Sequence, residues 1–262
     1  MTKSCNVINN LKEKNLLKII INKPTKLILG IENQALIFST NNLPGFDQMA
    51  IDLNSLDQTI SNPEIILTLR FYYWTGDWLS IGYHQKEIPL HWKNLLSNGE
   101  INIVRRPSGG GAVLHSGGIT YALTFKKTYY KVLSYEMVNN WLIKSFRELG
   151  LNLKYGNLRK SSIKTNCFGT SLISDLVDQD GFKRIGSAQF RKKGAFLQHG
   201  EIQTNPPRDL WFKLFKEEAP PKVNLKLTND EIVQHLRNSF LENKSNINFK
   251  NIAIDNKNRK FQ

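Results

Sequence analysis

A chain of 262 residues suits one large domain, or one domain with a small appendage, and buries a core without disulfide help. Its two cysteines, Cys5 and Cys167, lie far apart, which argues for a reducing compartment and against a disulfide framework. The formal net charge of +14 fits steering toward an acidic partner or, equally, Lys- and Asn-rich composition, while the absence of any apolar run of about 18 residues argues against a membrane span.

Residues 1–33 stand apart: Lys and Asn alternate with short aliphatic runs such as Leu16 to Ile21, and they are read as an N-terminal extension with no assigned order. Phe46, Met49, Ala50, Leu53 and Leu56 fall at helical spacing behind Pro44. Ile65 to Trp74 is β-branched and aromatic and predicts a buried strand, and Leu79 to Gln85 a second. Asn102 to Arg106 predicts a strand running into a glycine turn. Ala112 to His115 and Ile119 to Phe125 are expected to continue the sheet. Ser134 is a candidate N-cap for a helix whose face is Val138, Trp141, Leu142, Ser145, Phe146 and Leu149, with Gly150 placed to stop it. Lys183 to Gln189 and Gly194 to Ile202 predict a hairpin, Leu210 to Phe215 a short helix, and Thr228 to Glu231 a capping box opening a last helix. The mixture has no regular strand–helix beat. The fold class read from it is α/β, a mixed β-sheet flanked by helices, with residues 34–262 as a single domain.

Three stretches carry chemistry. Arg105-Arg106-Pro107-Ser108-Gly109-Gly110-Gly111 joins two fixed charges to a loop whose amides can face a ligand, either a phosphate or a carbonyl oxygen. The blander reading is a tight hairpin with a solvated basic flank. Lys183 to Arg191 includes Gly186, Ser187 and Ala188, and Leu197-Gln198-His199-Gly200 follows. Cys167 is a candidate nucleophile, with Lys160, Lys164, Lys183 and Arg184 as candidate sources of the positive field that lowers a thiol pKa, although composition alone favours an inert buried cysteine. His115 ends the glycine stretch and could act as a base or position substrate. No HExxH or Cys/His cluster points to a metal, no nucleic-acid-binding motif is present, and the N-terminus lacks a clear secretory signal. The expectation is a cytoplasmic protein without nucleic-acid or membrane partners.

In this order the motifs resemble the biotin/lipoate A/B protein ligase superfamily: an RR-x-[ST]-G-G-x-A-V loop, then K-x-x-G-S-A-Q and L-Q-H-G, over about residues 36 to 215. The chain looks most similar to the superfamily's Cys/Lys octanoyltransferase branch. That branch has a Cys-Phe pair about sixteen residues before the motif lysine, a spacing Cys167-Phe168 and Lys183 keep. It also reads A-V-L-H-x-x-x-[LI]-T-Y where Ala112 to Tyr121 stand. Ligases typically have His-Asp-x-Gly-Asn there and no cysteine. Ser116 and Gly117-Gly118 depart from the branch, which often carries Asp and Glu at these positions.

The resemblance implies a ligase-like catalytic domain and an acyltransferase: octanoyl transfer from octanoyl-acyl carrier protein to lipoyl-domain lysines, as in the glycine cleavage H protein and 2-oxoacid dehydrogenase E2. It implies Cys167 and Lys183 as catalytic. Arg105, Arg106, Ser108, Gly109, Gly110, Gly111, His115, Gly186, Ser187, Ala188 and His199 would bind substrate. No cofactor is implied. The alternatives are an ATP- and magnesium-dependent lipoate or octanoate ligase, and a non-catalytic carrier-protein or nucleic-acid binder on the same fold.

Overall fold

The structure, a computed structural model, describes residues 25–30, 33–39, 42–126, 135–156 and 175–242. Strand β1 (Thr25–Gly30) runs antiparallel to β2 (Asn33–Ser39). Helix α1 (Gly45–Ser61) then crosses over, and β3 (Ile65–Tyr72) returns parallel to β2, the connection a parallel pair requires. Next come β4 (Trp78–Ile81), α2 (Leu90–Ser97), β5 (Asn102–Arg105) and β6 (Val113–His115). The chain continues with β7 (Ile119–Lys126), α3 (Tyr135–Glu148), β8 (Lys154–Tyr155) and β9 (Leu176–Val177). It closes with β10 (Lys183–Lys192), β11 (Ala195–Ile202), α4 (Arg208–Phe215) and α5 (Asn229–Glu242).

The fold is α/β with a mixed sheet flanked by helices, as its sequence predicts. The strands form an eight-stranded sheet in the order β1-β2-β3-β7-β11-β10-β9-β8 and a three-stranded sheet in the order β5-β4-β6. Here the sequence reading needs correction: β6 and β7 do not continue one sheet. Gly117, at φ +69°, turns the chain from the small sheet into the large one, and a Cβ there would stand 2.2 Å from the Asn205 carbonyl oxygen.

Alternation along the strands sorts the large sheet into two faces. Leu67, Leu69 and Phe71 of β3 and Tyr121, Leu123 and Phe125 of β7 pack with Trp141 of α3 and Phe240 of α5 in the main core. The opposite face carries Tyr72 and Ala122, which pack with Leu56 of α1. Leu79, Ile81 and Leu114 of the small sheet form a separate core with Trp92 of α2 and Trp211 and Phe215 of α4.

Helix α1 buries a different stripe from the one its apolar spacing suggests. Gln48, Met49, Asp52, Leu56 and Thr59 are inside, whereas Phe46 is 64% exposed. The cause is Arg70, buried on the facing strand. Its Nη2 donates to Gln48 Oε1 at 2.9 Å and pairs with Asp52 Oδ1 at 3.2 Å. A charge without water must be paired, so the polar residues of α1 turn inward.

Other local signals hold, except that β4 ends at Ile81, where the sequence reading carries the strand on to Gln85; the Gln85 amide instead donates to the Gly82 carbonyl at 3.0 Å, closing a turn. Gly150 takes φ +92° after α3, and Lys193 and Gly194 (φ 45° and 75°) make the two-residue turn between β10 and β11. Thr228 and Glu231 close a capping box on α5, with Glu231 Oε2 accepting from the Thr228 amide at 2.7 Å. Ser134, the candidate N-cap of α3, lies outside the described residues. Among the described residues no helix is long and apolar enough to cross a membrane.

Candidate active site

The register of the large sheet assembles the site. Across β3, β7, β11 and β10, Arg70, Ala122, His199 and Ala188 form one row. Tyr72, Thr120, Glu201 and Gly186 form the next. Both rows lie on the α1 face. The small sheet supplies the opposite wall through Ser80 and Val113, paired across β4 and β6, and His115. Between them lies a largely apolar cavity of about 30 Å³, lined by residues that include Met49, Tyr72, Val113, Gly186, Ala188 and His199.

The glycine loop is held from within. Arg106 Nη2 donates to the carbonyls of Gly109 (2.8 Å) and Gly111 (2.6 Å), and its Nη1 donates to Ser80 O (2.9 Å). Arg105 Nη1 reaches the carbonyls of Gly82 (2.8 Å) and Gln85 (2.7 Å). Both guanidiniums therefore hold backbone, and of the pair only Arg106 lines the cavity; Arg105, Gly109, Gly110 and Gly111, expected to bind substrate, are not among its lining residues. Gly110 sits at φ +92°. Its carbonyl passes so close to Gly82 that a Cβ on Gly82 would lie 1.9 Å from the oxygen.

Ser108 and His199 meet on the same wall: Ser108 Oγ is 2.5 Å from His199 Nε2. His199 Nδ1 lies 3.1 Å from Asp52 Oδ2, which also accepts from Tyr72 OH at 2.9 Å. Both imidazole nitrogens are thus engaged, so His199 offers the cavity its ring surface. Burial, then the charge of Asp52, pushes the Tyr72 phenol well above its ordinary range.

A second network surrounds His115. Its Nδ1 is 2.7 Å from Glu201 Oε2, and its Nε2 is 2.8 Å from Ser80 Oγ. Thr120 donates to the same Glu201 oxygen at 2.5 Å and accepts from Trp74 Nε1 at 2.7 Å. The Trp74 ring stacks on His115 with centroids 4.0 Å apart. Burial is the largest effect on His115 and pushes its pKa down, against the pull of Glu201. A neutral ring fits the partners: Nδ1–H donates to Glu201, and Nε2 accepts from Ser80.

Lys183 opens β10, 5% exposed, with its Nζ 2.8 Å from Asp175 Oδ2. Three residues on, Gly186, Ser187 and Ala188 enter the cavity wall. Ser187 shares a 2.7 Å hydrogen bond with Tyr121 OH, which accepts from Gln198 Nε2 at 2.9 Å. Burial pushes the Tyr121 phenol up to about 12. Cys167 lies outside the described residues.

The structure therefore gathers Arg106, His115, Gly186, Ser187, Ala188 and His199 around one cavity, with Ser108 behind His199. It adds Asp52, Ser80, Asp175 and Glu201, which no motif singles out, and Thr120, which the A-V-L-H-x-x-x-[LI]-T-Y pattern contains without assigning it a role. Their signal is weak. Arg70 and Lys183 on buried strands demand acidic partners, but nothing local in the sequence says which.

Comparison with known proteins agrees with this fold. The lipoyl protein ligase A/B catalytic domain family matches residues 44–240. The octanoyltransferase LipM of Oceanobacillus iheyensis is 32% identical over 207 residues, covering 70% of this chain and 74% of that one. That of Bacillus subtilis is 34% identical over 203 residues, 70% of each chain. In fold, the chain is similar to the bi-partite lipoate protein ligase from Thermoplasma acidophilum, solved in a study of an archaeal lipoylation system and its E2 lipoyl domain. That likeness has a TM-score of 0.56 at 22% identity and covers 77% of this chain and 82% of the other. The chain belongs to the lipoyl protein ligase A/B catalytic domain family.

Proposed function

We propose that the protein moves an octanoyl group from acyl carrier protein to a lipoyl-domain lysine through a thioester on Cys167, with Lys183 as the fixed cation of the reacting centre. The chain is an acyltransferase, and octanoyl transfer in protein lipoylation is the activity of the relatives that match it over 70% of its length. Enzymes of lipoylation act on lipoyl-domain proteins. The donor, the individual acceptors and the thioester are the finer parts of the reading.

One observation supports them most. Lys183 is a buried ammonium held at 2.8 Å by Asp175, at the head of the strand whose Gly186-Ser187-Ala188 walls the apolar cavity. In this reading that charge stabilises the Cys167 thiolate and the oxyanion that forms when a thioester carbonyl is attacked. In the first half-reaction the Cys167 thiolate adds to the donor carbonyl and the carrier's thiolate leaves. In the second, the acceptor amine adds to the new thioester and the Cys167 thiolate leaves. The donor thioester already carries the activation, so neither nucleotide nor metal is needed.

The test is intact-mass measurement after mixing the protein with octanoyl carrier protein alone. The expected result is a gain of one octanoyl group that hydroxylamine removes, absent in Cys167→Ala and retained in Cys5→Ser. Lys183→Ala is expected to slow its appearance on the order of 10²-fold or more. An octanoyl adduct that survives in Cys167→Ala would overturn the reading.

A further inference from the structure

We propose that Asp175 and Asp178, the residues on either side of β9, are positioning residues for Lys183: the first holds its side-chain nitrogen and the second its backbone. The inference rests on the role given to Lys183 in the reading above and adds what keeps that group in one place. A lysine carries its nitrogen on a flexible four-carbon stem. A reacting group misplaced by about 1 Å can cost on the order of 10²-fold in rate.

The ladder beside Lys183 is irregular. β10 pairs with β9 through Lys183 with Val177 and Ile185 with Leu176, so two steps along β10 answer one along β9. Arg184 is the extra residue of a bulge, and a bulge suspends the alternation that otherwise decides which way a neighbouring side chain points. The two acids take over that task. Asp175 Oδ2 stands 2.8 Å from Lys183 Nζ, and both side chains are 3% exposed. Asp175 is itself tied down: its carbonyl accepts from the Gly156 amide at 2.8 Å, and Leu176, next in the chain, is buried in the main core.

Asp178 works on the residues before and after Lys183. Its Oδ1 accepts from the amides of Asp180 at 3.1 Å and Phe182 at 2.9 Å, and its own amide donates to the Phe182 carbonyl at 3.0 Å. Its Oδ2 accepts from Arg184 Nε at 2.6 Å, and Arg184 Nη1 goes on to the Pro221 carbonyl at 2.6 Å. One buried carboxylate thus grips the backbone at 182 and the side chain at 184, with Lys183 between them. Lys183 and Arg184 are consecutive buried cations, and each has an acid of its own, so neither draws on the partner of the other. The four-residue run Asp175-Leu176-Val177-Asp178 supplies both acids and, through Leu176 and Val177, the apolar anchor between them.

The experiment is a double-mutant cycle in the full chain, read as transfer from octanoyl carrier protein to a lipoyl domain. Asp175→Asn keeps an oxygen that can accept from the lysine but removes the charge. Asp178→Ala releases Phe182 and Arg184 together. Each is expected to lower kcat on the order of 10- to 10²-fold, with the KM for either carrier unchanged. In a Lys183→Ala background neither change should cost anything further, because no amine is left to place. Damage to the fold at large would instead multiply through both backgrounds. Wild-type transfer in either variant, or a slowing of the same size with and without Lys183, would overturn the assignment. Should either single variant not fold, Asp178→Ala/Arg184→Met, which strands no charge, carries the test. It must be slowed with Lys183 present and not without it, and any other result overturns the assignment. If Lys183→Ala alone transfers at the wild-type rate, the role given to Lys183 itself fails, and this inference falls with it.

Discussion

Asp52 and Arg70 form a buried ion pair between helix α1 and strand β3, with Nη2 to Oδ1 at 3.2 Å and side chains 0% and 1% exposed. The pair anchors the wall of the candidate active site. Asp52 Oδ2 orients His199, His199 receives Ser108, and the Arg70 guanidinium lies 3.7 Å from the Tyr72 ring centre.

Removing one member of such a pair strands the other in a medium without water. Asp52→Ala is therefore expected to cost about 3–5 kcal/mol of stability, read as a fall in the urea midpoint. Asp52→Ala combined with Arg70→Met removes the stranded charge and should recover much of that loss. A double variant as unstable as Asp52→Ala alone would show that the cost comes from His199 and Tyr72 rather than from Arg70.

The approach of Gly82 to Gly110 gives a sharper, local test. A Cβ on residue 82 would meet the Gly110 carbonyl oxygen at 1.9 Å, and that atom is backbone. Gly82→Ala must push the glycine loop away from β4 and strain the hydrogen bonds that Arg106 makes to it. Gly99→Ala, with open space around its Cβ but φ +74°, is the control for backbone strain without a clash. Octanoyl transfer is expected to fall by at least tenfold, about 1.4 kcal/mol, in Gly82→Ala and to be unaffected in Gly99→Ala.

The sequence made the glycine loop, the Lys183 strand and the hairpin legible because each is a local pattern. Turn residues, a lysine and small side chains follow one another within a few positions. It did not disclose Asp52, Glu201 or Asp175 because their partners are chosen by sheet register and helix rotation. His115 meets Glu201 across 86 positions and His199 meets Asp52 across 147. The apolar stripe of α1 misled for a physical reason: Phe46 and Leu53 share its spacing, but the buried Arg70 outweighs them in setting which side faces in. One departure in the sequence did mark a hidden contact. Glycine at 118, where the octanoyltransferase branch often carries an acid, leaves the space that Glu201 Oε1 fills.

His115 gives the chain a pH signature. Burial holds its folded pKa below the ordinary 6.5. As pH falls through about 6.5, the unfolded chain binds a proton that the folded chain refuses, so stability declines toward acid pH until the folded value is reached. The contribution is fully present above 6.5 and cannot exceed about 1.4 kcal/mol per pH unit. His115→Gln should be less stable near pH 7, because it loses the Glu201 and Ser80 hydrogen bonds, but its urea midpoint should fall less steeply between about pH 6.5 and 5. Parallel slopes in the two proteins would mean that His115 is protonated inside the fold.

The last prediction concerns energy supply. A transferase that works through Cys167 receives its acyl group already activated as a thioester, whereas a ligase must spend ATP to make an acyl adenylate and need never acylate a cysteine. The fold is shared with the bi-partite lipoate protein ligase from Thermoplasma acidophilum, so architecture does not separate the two chemistries. The expected outcome is modification of a lipoyl domain with octanoyl carrier protein alone, unchanged by chelator or by removal of nucleotide. Free octanoate with ATP and magnesium should give none. Both arms are read by the mass of the lipoyl domain, and Cys167→Ala should abolish the first. If free octanoate with ATP modifies the domain and Cys167→Ala does so equally well, the cysteine has no part in the reaction and the chain works as a ligase.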